Sequence, residues 1–152
     1  MIVWIHGGGW RQGSKESGGH PPRLPKIVET GRYFGASINY RLSAEQNWPA
    51  QLFDCKAAIR WLRAKSYKYG YDGRRISVWG SSAGGHLALM LGTTNGKKEW
   101  EGSVGSFKKY SSKVQSVINY YGPSEFLKMD NHPSIIVHSS PNSPESKLLG
   151  RA

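Results

Sequence analysis

The sequence predicts an α/β fold, a mostly parallel sheet with helices on both faces. Short apolar runs recur at residues 2–5, 35–40, 75–79 and 114–121. Longer stretches separate them, one of which carries apolar residues at spacings of three and four, the mark of an amphipathic helix. The first run is continuously apolar rather than alternating, as expected for a strand covered on both sides. Strand, helix, strand, helix, strand, helix, strand is the order that builds a parallel sheet between two helical layers.

Each element has its own signals. Residues 2–5, Ile-Val-Trp-Ile, stop abruptly at glycines. Residues 11–23 are polar and rich in Gly, Ser and Pro, and they read as loop. Gly18-Gly19 within them suggests a tight turn. Residues 25–30 fit a short helix ending at Gly31, and residues 35–40 a second buried strand. After a polar loop at 43–48, Pro49 suits the first turn of a helix that runs to about Tyr69 and stops at Gly70. Leu52, Cys55, Ile59 and Leu62, with Phe53, Ala57, Trp61 and Ala64, give that helix a broad apolar face. Lys56, Arg60 and Arg63 are expected to lie largely outside it. Residues 75–79 read as the third strand, 80–85 as a tight turn and 87–91 as a strongly apolar helix. Residues 93–112 are polar and rich in Gly and Lys, so they read as an excursion. Residues 114–121 form the fourth strand, closed by Gly122-Pro123, and beyond Asp130 the chain turns polar. There is no internal repeat and no sign of a second domain.

Composition bounds the function. The 152 residues suffice for one domain with a core, and 38% hydrophobic with 20% charged residues is ordinary for a globular protein. No apolar run approaches the ~18–20 residues of a membrane-spanning helix. The net charge is +11, with basic residues densest at Arg60, Arg63, Lys65 and Lys68 and in the pairs Lys97-Lys98 and Lys108-Lys109. No nucleic-acid motif accompanies them, so the expectation is a solvated basic surface and no nucleic-acid partner. The single cysteine, Cys55, excludes an internal disulfide and reads as a small core hydrophobe. Residues 1–5 carry neither the basic leader nor the cleavage site of a signal peptide and begin at once as a buried strand. The sequence therefore reads as the central part of a longer protein.

Two motifs carry chemistry. Gly80-Ser81-Ser82-Ala83-Gly84 matches G-x-S-x-G and lies between a strand and a helix. A hydroxyl on that sharp turn projects above the sheet edge, and the helix starting there aims free N–H groups and a positive dipole end at it. His6-Gly7-Gly8-Gly9-Trp10 follows the first strand directly. Glycines let backbone N–H groups approach the oxyanion that forms in acyl transfer, where losing one donor costs ~2.7–4 kcal/mol. A phosphate-binding loop would need G-x-x-x-x-G-K-[ST], which the chain lacks. The two motifs together, in this chain order, are far more specific than either alone.

These motifs, with Asn39-Tyr40-Arg41-Leu42, Pro49-Ala50-Gln51, Asp54, the extended Val78-Trp79-Gly80-Ser81-Ser82-Ala83-Gly84-Gly85-His86 and Tyr121-Gly122-Pro123, carry a resemblance over nearly all the chain. It resembles α/β-hydrolase esterases of the hormone-sensitive-lipase type. More closely, it is similar to their bacterial branch of bifunctional acetylxylan/feruloyl-esterase-like (BD-FAE-like) enzymes.

The resemblance implies an α/β-hydrolase fold with Ser82 as nucleophile and an oxyanion hole from the N–H groups of Ala83, Gly8 and Gly9. It implies a serine carboxylic-ester hydrolase that uses no metal or organic cofactor and acts on short-chain or plant-polysaccharide esters, acetyl or feruloyl. Arg41 and Asp54 look like the family's structural pair, His6 like the residue that orients the glycine loop, and Trp10 like a wall of the substrate cleft. The pattern also departs from the family. Its order is Ser, then Asp or Glu, then His, and the acid and histidine follow a strand beyond the one ending at Tyr121. The segment 143–150 looks like the loop ahead of that strand, so residues 1–152 are expected to be a partial domain. The first strands and the region bearing the triad acid and histidine would then lie outside it, and the sheet edges left open would invite aggregation. An internal triad is not expected: His86 should point along its helix, and Asp130 with His132 or His138 falls in a loop. Two alternatives remain, an inactive fragment or pseudo-enzyme and a serine peptidase or amidase of the same fold. Relatives of this type are often exported.

Overall fold

A computed structural model describes residues 1–17 and 22–150; the Gly18-Gly19 pair lies outside them. Four strands form one parallel sheet in the order β2-β1-β3-β4. They are β1 (Ile2–Ile5), β2 (Gly35–Ile38), β3 (Ser77–Ser81) and β4 (Ser116–Tyr120). Helices α1 (Arg23–Val28), α2 (Ala50–Tyr69) and α3 (Ala83–Thr93) are the crossovers, and α4 (Pro144–Leu149) follows the last strand. Gly70, in the left-handed conformation, ends α2 as expected.

Alternation along β1 distributes the core. Val3 and Ile5 face Leu52, Cys55 and Ile59 of α2 and Leu87, Ala88 and Leu91 of α3. Ile2 and Trp4 face the other way, onto Trp79 and Leu24 of α1. Right-handed crossovers require this. The β1-α1-β2 unit steps one way along the sheet, and the β2-α2-β3 and β3-α3-β4 units step back, which puts α2 and α3 on the opposite face from α1.

Three readings need correction. The third strand is displaced to Ser77–Ser81, because parallel pairing with β4 continues to Ser81 opposite Tyr120. Helix α3 then starts at once, at Ala83. Residues 143–150 are not a loop but contain α4, which starts on a side-chain cap from Ser143 with Pro144 in its first turn. Its Leu148 is buried in the main core.

The largest correction concerns Lys56 and Arg60, which are interior rather than peripheral, with side chains 0% and 3% exposed. Their ends converge on Glu101. Lys56 Nζ donates to Glu101 Oε1 (3.2 Å), to the Thr94 carbonyl (3.2 Å) and to Ser112 Oγ (3.4 Å). Arg60 donates to Glu101 Oε2 (3.0 Å) and to the carbonyls of Glu101 and Val104 (both 3.0 Å). Arg63 extends the arrangement to the carbonyls of Gly73 (2.8 Å) and Lys113 (2.7 Å). Residues 94–113 are thus fastened along α2 by cations on that helix. Periodicity missed this because a charge is buried only when a partner distant in sequence meets it.

Burial opposes the charge on Glu101, but hydrogen bonds from Ser112 and Lys56 and the two cations outweigh it and hold its carboxyl below the usual range. A carboxylate with a lowered folded pKa stabilises the fold above the ordinary glutamate pKa, and the contribution fades as pH falls through the folded value. Glu101→Ala leaves two interior cations unpaired and should destabilise the protein by about 3 kcal/mol. The check is the urea midpoint at neutral pH, with a loss that shrinks below about pH 4. An unchanged midpoint would remove Glu101 from this role.

Candidate active site

All four strands run in parallel, so their C-terminal ends share one edge. The chain leaves β1 toward β2 on one side and returns through β3 on the other, which opens a crevice at that edge between β1 and β3. Three segments meet there: the glycine loop after β1, Ser82 after β3, and Tyr121-Gly122-Pro123 after β4. They line one cleft of about 630 Å³, which also contains Trp10, His132, His138 and Glu145.

Ser82 occupies the single residue between β3 and α3, at φ 54° and ψ −127°. A side-chain-bearing residue there costs on the order of 1–3 kcal/mol and persists only where its surroundings enforce it. The enforcement is visible. Ser82 N–H donates to the Tyr120 carbonyl (2.9 Å), and the Ser82 carbonyl accepts from His86 N–H (3.0 Å), the first bond of α3. Gly84 lets the turn close, since a Cβ there would overlap the carbonyl oxygens of Ile5 and His6. The start of α3 is therefore seated on the end of β1, which brings Ser82 up to the glycine loop.

That loop turns at Gly8, whose φ of +113° excludes other residues and whose carbonyl accepts from the N–H groups of Arg11 (3.1 Å) and Gln12 (3.2 Å). Its own N–H and those of Gly9 and Ala83 have no acceptor among the described residues. His6 braces the loop from below. Its imidazole is buried, stacks on Tyr40 at 4.3 Å, and donates through Nδ1 to the Gly7 carbonyl at 2.7 Å. Tyr40 Oη donates in turn to the His6 carbonyl (3.0 Å). Burial lowers the His6 pKa despite the Gly7 carbonyl and Glu16, so the ring is a neutral brace.

Arg41 holds Asp54 bidentately (2.8 and 2.9 Å), and the same carboxylate accepts from Arg41 N–H (2.9 Å). The pair lies outside the Ser82 cleft and ties the segment after β2 to α2. Trp10 is 1% exposed, a cleft wall and a core residue at once. Trp48 packs against the same core.

The other described histidines are engaged elsewhere. His86 packs among Trp10, Trp48 and Phe126, with ring centroids 5.2–5.3 Å away. His138 lines the cleft, with Nδ1 3.1 Å from Glu145 Oε2 and Nε2 3.3 Å from Ser134 Oγ. Asp130 accepts from the backbone N–H groups of His138 (2.6 Å) and Ser139 (2.7 Å), so it shapes the loop and does not orient an imidazole. Among the described residues no histidine hydrogen-bonds to Ser82. The sequence reading missed Glu145, although Ser143-Pro144-Glu145, a cap, a proline and an acid in the first turn, is a helix-start signal. No group of three or more His, Cys, Asp or Glu is placed to hold a metal ion among the described residues.

A strained serine between strand and helix, facing a glycine loop at the crevice of a parallel sheet, defines an α/β-hydrolase fold. The chain belongs to the BD-FAE family, whose model matches residues 1–152. Among solved structures it is similar to a bifunctional GH43-CE protein of Bacteroides eggerthii, with 36% identity, TM-score 0.89, and coverage of 99% of this chain and 20% of that one. It is also similar to a truncated carbohydrate esterase from gut microbiota, with 32% identity, TM-score 0.86, and coverage of 98% and 54%. LipM of Mycobacterium tuberculosis, a probable carboxylic ester hydrolase, is 31% identical over 138 residues, 90% of this chain and 31% of that protein. The chain thus spans between about a fifth and about half of these relatives.

Burial drives the His86 pKa down to about 4. In the unfolded chain it returns to about 6.5, so between these values the unfolded state binds more protons. Stability should therefore fall as pH drops from about 6.5 toward 4, by about 3 kcal/mol across the window. In His86→Leu that slope should be clearly shallower in urea midpoints collected between pH 7 and pH 4.5. An identical slope in the variant would place the titration elsewhere.

Proposed function

We propose that this chain is the nucleophile-bearing part of a serine carboxylic-ester hydrolase acting through an acyl-enzyme on short-chain or plant-polysaccharide esters, acetyl or feruloyl. The observation that carries it is the strained, half-buried Ser82 facing the free N–H groups of the glycine loop. Ser82 Oγ attacks the ester carbonyl, and the carbonyl oxygen becomes an oxyanion held by the N–H groups of Ala83, Gly8 and Gly9. Collapse releases the alcohol and leaves the acyl group on Ser82, and water later removes it as the acid. The names of the relatives, a carbohydrate esterase and a carboxylic ester hydrolase, support esters over amides.

The proton of Ser82 needs an acceptor, and no histidine among the described residues bonds to it. Two consequences follow for the 152-residue chain. Turnover should be feeble, at the level that oxyanion stabilisation and binding leave when a triad member is missing, about 10³–10⁴-fold over water. In that regime removing the serine costs little further turnover, because nucleophile and base act as a unit. A turnover assay of Ser82→Ala is therefore a weak test.

Acyl capture is the stronger one. p-Nitrophenyl acetate has a leaving group that departs without a proton, while deacylation still needs a base to activate water. After incubation, mass spectrometry should find one acetyl group on the peptide containing Ser82, and none there in Ser82→Ala. Acetylation confined to lysines, equal in both proteins, would overturn the assignment.

A further inference from the structure

One corner of the Ser82 cleft has no part in the chemistry above. Pro144 and Glu145, in the first turn of α4, form it together with His138. It adjoins the glycine loop: a Cβ added at Gly9 would stand 3.2 Å from Pro144 Cβ. An ester whose carbonyl oxygen rests on the N–H groups of Gly8 and Gly9 therefore has this corner at its flank. The corner is also rigid. Leu148 is buried in the main core, and the Leu148 carbonyl accepts from Trp48 N–H (2.8 Å). Ser143 Oγ caps the helix by accepting from Ser146 N–H (3.1 Å). Asp130 holds the backbone at His138 and Ser139.

Its polar atoms are left unmet. Glu145 is only 6% exposed, yet its Oε2 has no hydrogen bond among the described residues, and neither has His138 Nδ1. The two atoms lie 3.1 Å apart, but the contact is not aligned as a hydrogen bond and satisfies neither. The other ring nitrogen, Nε2, is taken by Ser134 Oγ (3.3 Å). Buried polar atoms in folded proteins are nearly always paired, so each exception needs a physical reason. Glu101 shows the ordinary outcome in this chain, a carboxylate met by two cations and the Ser112 hydroxyl. An acid in a first helical turn does complement the helix end. That benefit is available to a carboxylate in solvent, however, and does not call for burial in a cleft wall.

We infer that Glu145 and His138 form a subsite for neighbouring hydroxyls of a sugar ring, the alcohol part of the ester. A hydroxyl both donates and accepts, so two adjacent ones can meet a carboxylate oxygen and a ring nitrogen together. The remaining wall supports this division of the ester. Tyr121, Met129 and Ile136 offer apolar surface to the acyl group, which leaves the polar corner to the alcohol. An alkyl alcohol would cover both buried atoms without bonding either. A site built to bond a hydroxyl discriminates strongly against an analogue that lacks it. Glu145 is thereby a specificity-determining residue that selects carbohydrate esters over alkyl esters. The assignment rests on the esterase reading for its ester, though not for its sugar ring.

The test is proton NMR of the His138 imidazole in the full chain, its signal identified by loss in His138→Gln. Two ligands are titrated: methyl β-xylopyranoside, and 2-methoxytetrahydropyran, which is the same ring without hydroxyls. The xyloside should shift the signal saturably, with an affinity about tenfold or more above that of the bare ring. Glu145→Gln keeps the shape of the side chain and should weaken xyloside binding by about tenfold, with circular dichroism checking that it folds. Equal responses to the two rings would overturn the inference, and that comparison needs only the parent protein. So would an unchanged xyloside affinity in folded Glu145→Gln. Methyl ferulate that moves the His138 signal at lower concentration than the xyloside would also overturn it, by giving the corner to a hydroxyaryl acyl group. Saturable xyloside binding without acetyl capture at Ser82 would leave the subsite standing and remove the esterase reading; capture without such binding would do the reverse.

Discussion

The structure depends on one close approach. Gly84, at the start of α3, lies so near the carbonyls that end β1 that no side chain fits between them. This contact joins two segments almost eighty residues apart in sequence, and it sets where both functional loops begin. With the helix start seated on β1, the one residue left between β3 and α3 has no choice but a left-handed backbone. That residue is Ser82. Its strain is the local consequence of packing a helix tightly across the central strands, and pairing to Tyr120 holds it there.

The glycine loop is kept in place by different means. The bonds from Arg11 and Gln12 to the Gly8 carbonyl close its turn, but three consecutive glycines lose much conformational freedom on folding. The brace is buried His6, stacked on Tyr40 and bonded to the Gly7 carbonyl. A neutral ring suits that position, because a buried cation there would need a partner. Away from the cleft, buried cations do appear, and there Glu101 meets them. The same fold thus removes charge where acyl chemistry is proposed and uses it where a long excursion must be fastened.

Much of this was legible in the sequence. The continuous apolar run at Ile2–Ile5, the helix from Pro49 to Gly70 and the glycines around Ser82 fix the parallel α/β order, and the structure follows it. Motif and context together placed Ser82, Gly8, Gly9 and Ala83 at one end of the sheet, where the structure brings them together. What escaped was non-local. Lys56 and Arg60 read as solvated because Glu101 is more than forty residues away. Glu145 and its pairing with His138 escaped because α4 is too short for periodicity to detect and is fixed by burying Leu148. Propensity and spacing report on neighbours along the chain, and Lys56 and Arg60 find their carboxylate far along it.

The indoles of Trp4 and Trp79 are register partners on β1 and β3, 5.2 Å apart and nearly perpendicular at 87°. Two indoles so close couple their strong far-ultraviolet transitions, which gives a dichroic couplet of opposite-signed bands. Neither ring can produce that signal alone. The two strands that carry the glycine loop and Ser82 therefore hold a native optical ruler between them. Its signal reports whether those strands are paired.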